Sequence, residues 1–228
     1  MPANLAIAVN PDLDYSVVTH PSTGKLIVAS DLAGKLASTL SLPPDSPSFT
    51  HLQTVSGSSL VGTTYSHPLY PRVSPVLAGG DYITTDSGTG LVHTAPGHGQ
   101  EDYLTGVKNG LELLSPVDDA GRFTAEAGER FEGMEVLGDG NTEVIKALGE
   151  AGALLKEEKY QHKYPYDWRT KKPTIFRATS QWFCSVEGFK DEAMEAIEKV
   201  EWVPKVGKNR IKSFVEGRSD WCISRQRR

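Results

Sequence analysis

Short apolar runs separated by glycine, proline and other turn residues dominate the first hundred positions of the chain. Runs of this length bounded by turn residues are typical of β-strands, because a strand needs only a few residues to cross a sheet. The pattern predicts strands at residues 5–9, 15–19, 25–29, 57–65, 73–77, 81–85 and 91–94. The second and third of these flank a His-Pro-Ser-Thr-Gly turn, so we expect them to form a hairpin.

Other segments carry apolar residues at the three- to four-residue spacing of an amphipathic helix. This spacing predicts helices at about residues 30–40, 100–109, 142–155 and 188–200. Ser30-Asp31 is suited to begin the first helix and Gly110 to end the second. Residues 42–47 are rich in proline and predict a loop. Together these elements indicate a mixed α+β fold rich in short strands.

The composition is that of an ordinary globular protein, with 38% hydrophobic and 23% charged residues in 228. No apolar run is long enough to cross a membrane, and the N-terminus has no secretory pattern. Cys184 and Cys222 lack the spacing of metal ligands, which favours reduced thiols. We therefore expect a cytoplasmic location, with a bacterial cytosol and an organelle matrix equally compatible.

Charge is distributed unevenly along the chain. Residues 1–158 hold 8 Lys and Arg against 20 Asp and Glu, whereas residues 159–228 hold 16 against 9. An acidic body with a basic C-terminal part fits a protein that contacts nucleic acid at one end, although chance segregation of solvated charge gives the same numbers. The change in composition predicts a boundary at about residue 160, between a body at 1–159 and a segment at 160–228.

The chemically richest stretch is residues 88–103, Gly-Thr-Gly-Leu-Val-His-Thr-Ala-Pro-Gly-His-Gly-Gln-Glu-Asp-Tyr. A predicted strand runs into a turn of glycine and proline, followed by the polar start of a helix. His93, His98, Glu101 and Asp102 crowd this corner, which is typical of a pocket wall. The His-x4-His-x3-Asp spacing also permits a metal site, but the intervening turn is a poor scaffold for one, and we predict no metal.

This stretch resembles the signature of the tRNA-editing domain (connective peptide 1) that is inserted into class I aminoacyl-tRNA synthetases, in its isoleucyl form. Residues 2–11, 115–123, 164–173, 181–183 and 220–227 also resemble segments of that family, so the likeness covers nearly the whole chain. The resemblance implies a β-barrel-like core with surrounding helices and a smaller basic C-terminal segment. It further implies an editing domain at 1–159 and a segment at 160–228 that leads back to the synthetic domain.

The resemblance implies hydrolysis of the ester in Val-tRNA(Ile) by a positioned water. A synthetic pocket built for isoleucine rejects valine poorly, because valine is smaller by one methylene and fits the same space. One methylene is worth only roughly 1–3 kcal/mol of binding free energy, a general value for which the isoleucyl synthetase is itself the usual example. Asp102 would bind the α-ammonium group, the alternative being a carboxylate that only stabilises a helix N-terminus. His93 would act as a steric gate against isoleucine, the alternative being a core histidine.

Further residues receive binding roles from the same resemblance. Gly88, Thr89 and Gly90 would place backbone amides near the ester, and Thr94 would help to hold the terminal adenosine or a water. The aromatic and basic stretch Tyr164, Trp168, Arg169, Lys171 and Lys172 would stack on and neutralise the 3′ end of the tRNA. The equally weighted alternative for this stretch is a connecting hairpin with solvated cations.

The chain also departs from the family pattern. It lacks the adenylate-forming signatures His-Ile-Gly-His and Lys-Met-Ser-Lys-Ser, so ATP and magnesium would serve only a synthetic domain outside these residues, and we predict no cofactor here. In the family, a Thr-rich stretch that lines the editing pocket comes just before the position of Pro2, and these residues do not include it. We therefore predict that the isolated chain has only weak editing activity. The alternatives are a module that only binds the aminoacylated tRNA end and an inert structural insert. The predicted partners are tRNA(Ile) carrying valine and the rest of a parent synthetase, with no membrane.

Overall fold

The computed structural model of the protein describes residues 1–42, 49–159, 163–218 and 220–225. The backbone forms two compact units, Met1–Ala178 and Thr179–Arg228. The predicted boundary at residue 160 and residues 43–47 of the predicted loop lie outside the described residues, and both stay predictions.

The described part of the chain contains nine strands and six α-helices. The strands are β1 (Ala6–Val9), β2 (Asp14–His20), β3 (Gly24–Ala29), β4 (His51–Ser56), β5 (Thr64–Ser66), β6 (Val73–Ala78), β7 (Leu91–Thr94), β8 (Phe183–Ser185) and β9 (Asp220–Cys222). The helices are α1 (Ala33–Thr39), α2 (Gly57–Leu60), α3 (Gln100–Lys108), α4 (Asp139–Glu150), α5 (Glu187–Lys199) and α6 (Val206–Glu216), with 3-10 turns at Ser30–Leu32 and Ala125–Ala127.

The first sheet has the strand order β5-β6-β1-β7. Its central strand β1 pairs parallel to β6 and antiparallel to β7, with Ile7 opposite His93. Ala6, Ala8 and Val9 are completely buried, which explains why β1 reads as a continuous apolar run rather than an alternating one. The sheet therefore places β7, and with it His93, at its edge.

The second sheet has the order β3-β2-β4 and contains the predicted hairpin, with Tyr15 opposite Ala29. Tyr15 enters a core cluster with Val9, Val28 and Leu32. A second cluster gathers around α4, whose Val144 and Ala147 face Phe123, Phe131 and other apolar residues of the loops before it. Among the described residues of the first unit, buried apolar side chains thus form two small cores.

Two predicted strands are corrected by the structure, the first of them, 57–65, only in part, since its last two residues lie in β5. Residues 57–60 form the helical turn α2 instead of a strand, because Gly57 donates its N–H to the Leu13 carbonyl at 2.8 Å and lies against the backbone of Asn10. Residues 81–85 form a turn, in which Ile83 is buried and its carbonyl accepts a hydrogen bond from the Asn10 side chain. Strand β4 was not predicted, since its exposed residues carry little apolar signal.

The helix predicted to reach residue 155 ends earlier, at Glu150. Gly152, with φ of 66°, adopts the left-handed conformation that ends helices, and the Ala153 N–H returns to the Leu148 carbonyl. The remaining predicted helices agree with α1, α3 and α5 to within a few residues.

The mixed class is confirmed. The described strands lie in three separate sheets, so a closed barrel is not found among them. The second unit contains α5 and α6, and the antiparallel pair β8–β9 joins the segments before and after these helices. Within the described residues no helix has the length and apolar character needed to cross a membrane.

Candidate functional site

A cavity of about 380 Å³ lies in the first unit, where β7 ends and α3 begins. Apolar side chains form most of its wall, and a few polar groups converge on it, a combination typical of small-ligand pockets. Met1–Ala3 close one side, and Tyr164, Ile175 and Phe176 close another. The lining residues are Met1, Pro2, Ala3, His93, Ala95, His98, Asp102, Pro116, Val117, Phe123, Val136, Leu137, Tyr164, Ile175 and Phe176.

Asp102 lines this cavity from the first turn of α3. Its Oδ2 accepts the N–H of Ala95 at 2.8 Å, so the carboxylate bridges the turn after β7 to the helix. Burial raises the pKa of this carboxyl, and the Ala95 N–H partly offsets the effect. Asp102 forms no ion pair with any described residue. A partly buried carboxylate without a cation is a favourable position for a ligand's positive charge.

His93 lines the same cavity from β7. Its Nδ1 lies 2.6 Å from the amide nitrogen of Asn4, while Nε2 is buried without a hydrogen-bond partner among the described residues. Burial lowers the pKa of His93 to about 4, with smaller contributions from the neighbouring histidines His67 and His98. The ring is therefore neutral near pH 7, and it presents an uncharged polar surface to the cavity.

The sequence placed His98 at the same pocket corner as His93 and Asp102 without giving it a binding role, and the structure places it in the cavity wall. Its Nδ1 donates to the Phe176 carbonyl at 2.9 Å, and Nε2 is buried without a partner among the described residues. No group of three potential ligands stands close enough to hold a metal ion in the part of the chain that the structure describes. Its position close to His93 and Asp102 in the sequence was the signal for this placement.

Other predicted site residues lie away from this cavity. Thr94 is completely buried and, by strand alternation, faces opposite to His93, with its hydroxyl on the Val92 carbonyl at 3.3 Å. Gly90 packs against Ala29 and Tyr15 at the start of β7. Gly88 and Thr89 lead into that strand, and the Thr89 carbonyl accepts the Ala29 N–H. None of these four residues lines the cavity, and their binding roles stay predictions.

The aromatic and basic stretch forms a short hairpin. Tyr166 pairs with Pro173, and the Asp167 N–H donates to the Lys172 carbonyl at 2.9 Å. Trp168 is 71% exposed, and the Arg169 guanidinium lies 4.7 Å from its ring centre. Lys171 and Lys172 are exposed on the same turn, and Tyr164 at the hairpin base lines the cavity. The hairpin thus joins an exposed aromatic and cationic tip to the cavity wall.

Comparisons with known proteins place the chain in a family. Residues 17–228 match the family model described as tRNA synthetases class I (I, L, M and V). An isoleucine–tRNA ligase of Microcystis aeruginosa is 63% identical over the whole chain, and one of Nostoc punctiforme is 61% identical. The chain spans about a quarter of the length of these relatives, 23% and 24%. A solved structure titled "The crystal structure of GlLeuRS-CP1" matches 69% of this chain and 82% of its own, at 17% identity and a TM-score of 0.49. The match to the family model over most of the chain shows that this protein belongs to the class I tRNA synthetases (I, L, M and V).

Proposed function

We propose that this chain is the editing part of an isoleucine–tRNA ligase and that its cavity holds the valyl group of mischarged tRNA for hydrolysis. The similarity to isoleucine–tRNA ligases over the whole chain supports the parent enzyme. The cavity supports a substrate with a small apolar side chain and one positive charge, because its walls are mostly apolar and hold one carboxylate.

The observation that carries this proposal is the position of Asp102. The α-ammonium group of an aminoacyl ester is a cation next to an apolar side chain, and Asp102 is a partly buried carboxylate next to apolar walls. A charge-assisted hydrogen bond between them would replace the hydration that the carboxylate loses on burial. It would also fix the neighbouring ester carbonyl in one orientation, which favours attack by a positioned water.

His93 supports the discrimination between valine and isoleucine. Its ring is neutral near pH 7, because burial lowers the pKa, and it is anchored on Nδ1 by Asn4. An anchored ring in a cavity wall resists displacement by an extra methylene, since close-packed surroundings transmit strain. The role proposed for His93 is therefore steric.

The hairpin at residues 163–175 supports contact with the tRNA end. Nucleic-acid bases stack on exposed aromatic rings, and cations nearby neutralise phosphates. Trp168 with the Arg169 guanidinium over its ring provides such a platform, and Lys171 and Lys172 provide charge beside it. Because Tyr164 of the same hairpin lines the cavity, a tRNA end bound here would deliver its ester to Asp102.

The test is deacylation of Val-tRNA(Ile) and Ile-tRNA(Ile) by the chain and its variants. Asp102→Asn keeps an oxygen for the Ala95 N–H but removes the charge, so we expect valyl-ester hydrolysis to fall roughly 10- to 100-fold, as for loss of a charged hydrogen bond. Glu101→Gln is the matched control, since Glu101 is the exposed neighbour on α3 and its change should leave the rate intact. His93→Ala should extend hydrolysis to the isoleucyl ester.

An equal loss in Glu101→Gln and Asp102→Asn would contradict the proposed contact with the ammonium group. A folded chain that leaves both esters at their uncatalysed rate but binds the aminoacylated tRNA end would favour the module that only binds. A folded chain that neither binds nor hydrolyses would refute the function altogether.

A further inference from the structure

Three side chains from distant parts of the first unit form a hydrogen-bonded series behind the cavity wall. The Tyr65 hydroxyl, on β5, donates to Oδ1 of Asn4. The Asn4 Nδ2 donates to the Ala6 carbonyl at 2.9 Å and lies 2.6 Å from Nδ1 of His93. Because the Ala6 carbonyl only accepts, the nitrogen side of the Asn4 amide must face Ala6 and His93. Its oxygen side is then left for Tyr65.

This series determines the tautomer of His93. A ring nitrogen that accepts the Asn4 N–H must carry a lone pair, so the ring proton resides on Nε2. Nε2 is buried and has no partner among the described residues. A buried N–H without a partner is unfavourable, so a ring free to turn would favour other orientations. The bond at Nδ1 is the contact that opposes such turning.

We propose that Tyr65 is a positioning residue for size selectivity: by fixing the Asn4 amide, it holds the His93 ring in the orientation that closes the cavity to a side chain one methylene longer than valine. This rests on the function proposed above. Tyr65 does not line the cavity that contains Asp102, but lines a neighbouring one together with Asn4 and His93. It therefore acts on the substrate through His93 and does not touch it.

The burial of these three side chains favours the hydrogen bonds that join Tyr65, Asn4 and His93. Asn4 is 7% exposed and Tyr65 is half-buried, so water competes weakly for their hydrogen bonds. Burial raises the pKa of Tyr65 and lowers that of His93 to about 4. Near pH 7 the phenol therefore keeps the proton that it donates, and the imidazole keeps the Nδ1 lone pair that accepts.

Loss of the Tyr65 hydroxyl would loosen the Asn4 amide. Oδ1 would lose its donor, and the Ala6 carbonyl alone would hold Nδ2 on the side of His93. The bond to Nδ1 of His93 would be weaker, so the ring would turn more readily and its proton would divide between the two ring nitrogens. The cavity would lose the rigid part of its wall, while the Asp102 carboxylate and its bond to Ala95 stayed in place.

The experiment compares Tyr65→Phe with Tyr70→Phe. Tyr70 is a matched control, because it is also half-buried in this region but donates its hydroxyl to the Ala127 carbonyl at 2.7 Å. The probes are adenosine analogues that carry valine or isoleucine through a stable 3′-amide. One methylene sets discrimination of roughly 10- to 200-fold. We expect Tyr65→Phe to reduce the valine-to-isoleucine affinity ratio roughly 10-fold, mainly through tighter isoleucine binding, and Tyr70→Phe to leave it unchanged.

A second readout is the ¹⁵N spectrum of the His93 ring in the same proteins. The wild-type chain and Tyr70→Phe should show protonated Nε2 and unprotonated Nδ1, and Tyr65→Phe should show a mixture of the two tautomers. Both readouts work without turnover, so an inactive wild-type chain would refute hydrolysis without hiding this result. An unchanged affinity ratio in Tyr65→Phe, or a changed ratio with an unchanged tautomer, would overturn the proposal.

Discussion

Tyr15 is hydrogen-bonded to the start of β7, the strand that carries His93. Removal of its hydroxyl tests how much this contact stabilises the first unit. The side chain is completely buried between the two sheets of the first unit. Its hydroxyl donates to the Gly90 carbonyl at 2.8 Å and accepts the Asn10 N–H at 3.0 Å. Tyr15→Phe keeps the ring but leaves both backbone groups without this partner.

The magnitude follows from these two groups. A buried polar group left unpaired costs about 1–3 kcal/mol. The Gly90 carbonyl is buried, and Asn10 is half-buried so that water can partly replace the lost bond. We therefore expect Tyr15→Phe to lower the free energy of unfolding of the first unit by roughly 2–4 kcal/mol.

Amide hydrogen exchange in β1 and β7 measures this loss locally, since each factor of ten in exchange corresponds to about 1.4 kcal/mol. Protection of these strands should fall roughly 30- to 900-fold in Tyr15→Phe. Tyr103→Phe is the control, because Tyr103 is 44% exposed on α3. Unchanged protection in Tyr15→Phe, or an equal loss in Tyr103→Phe, would refute this reasoning.

Two further predictions concern the same unit. Gly90→Ala should destabilise it by more than the roughly 1–3 kcal/mol of a left-handed alanine, because φ is 77° and the added Cβ would lie 2.5 Å from that of Ala29; an unchanged urea midpoint would contradict this. Burial lowers the pKa of His67 to about 4. The unfolded ring therefore gains its proton near pH 6.5 and the folded ring only near pH 4, so His67 by itself should lower stability by roughly 3 kcal/mol across that window as the pH decreases. Urea titrations at several pH values should show a shallower dependence in His67→Asn.

The local pattern of apolar and turn residues was sufficient to predict the elements around the candidate site. Strand β7 and helix α3 were predicted almost to the residue, because an apolar run, a Gly-Pro turn and an acidic helix start succeed one another within twenty positions. That continuity also determined that His93 and Asp102 line one pocket, since the turn between them is too short to separate them.

Tertiary contacts decided what the local pattern could not. Residues 57–60 became a helical turn because Gly57 meets Asn10 and Leu13, contacts that no window around residue 57 contains. Thr94 and Gly90 stand near His93 in sequence, yet strand alternation and the packing of Tyr15 direct them away from the cavity.

The sequence by itself determined the mixed class, the main elements and the neighbouring pair His93 and Asp102. Only the tertiary structure brought Asn4 and Tyr65 to the His93 ring and Tyr164 to the cavity wall. The physical reason is that secondary structure depends on the spacing of apolar residues along the chain. The hydrogen bonds of a buried ring depend instead on which distant strands pack beside it.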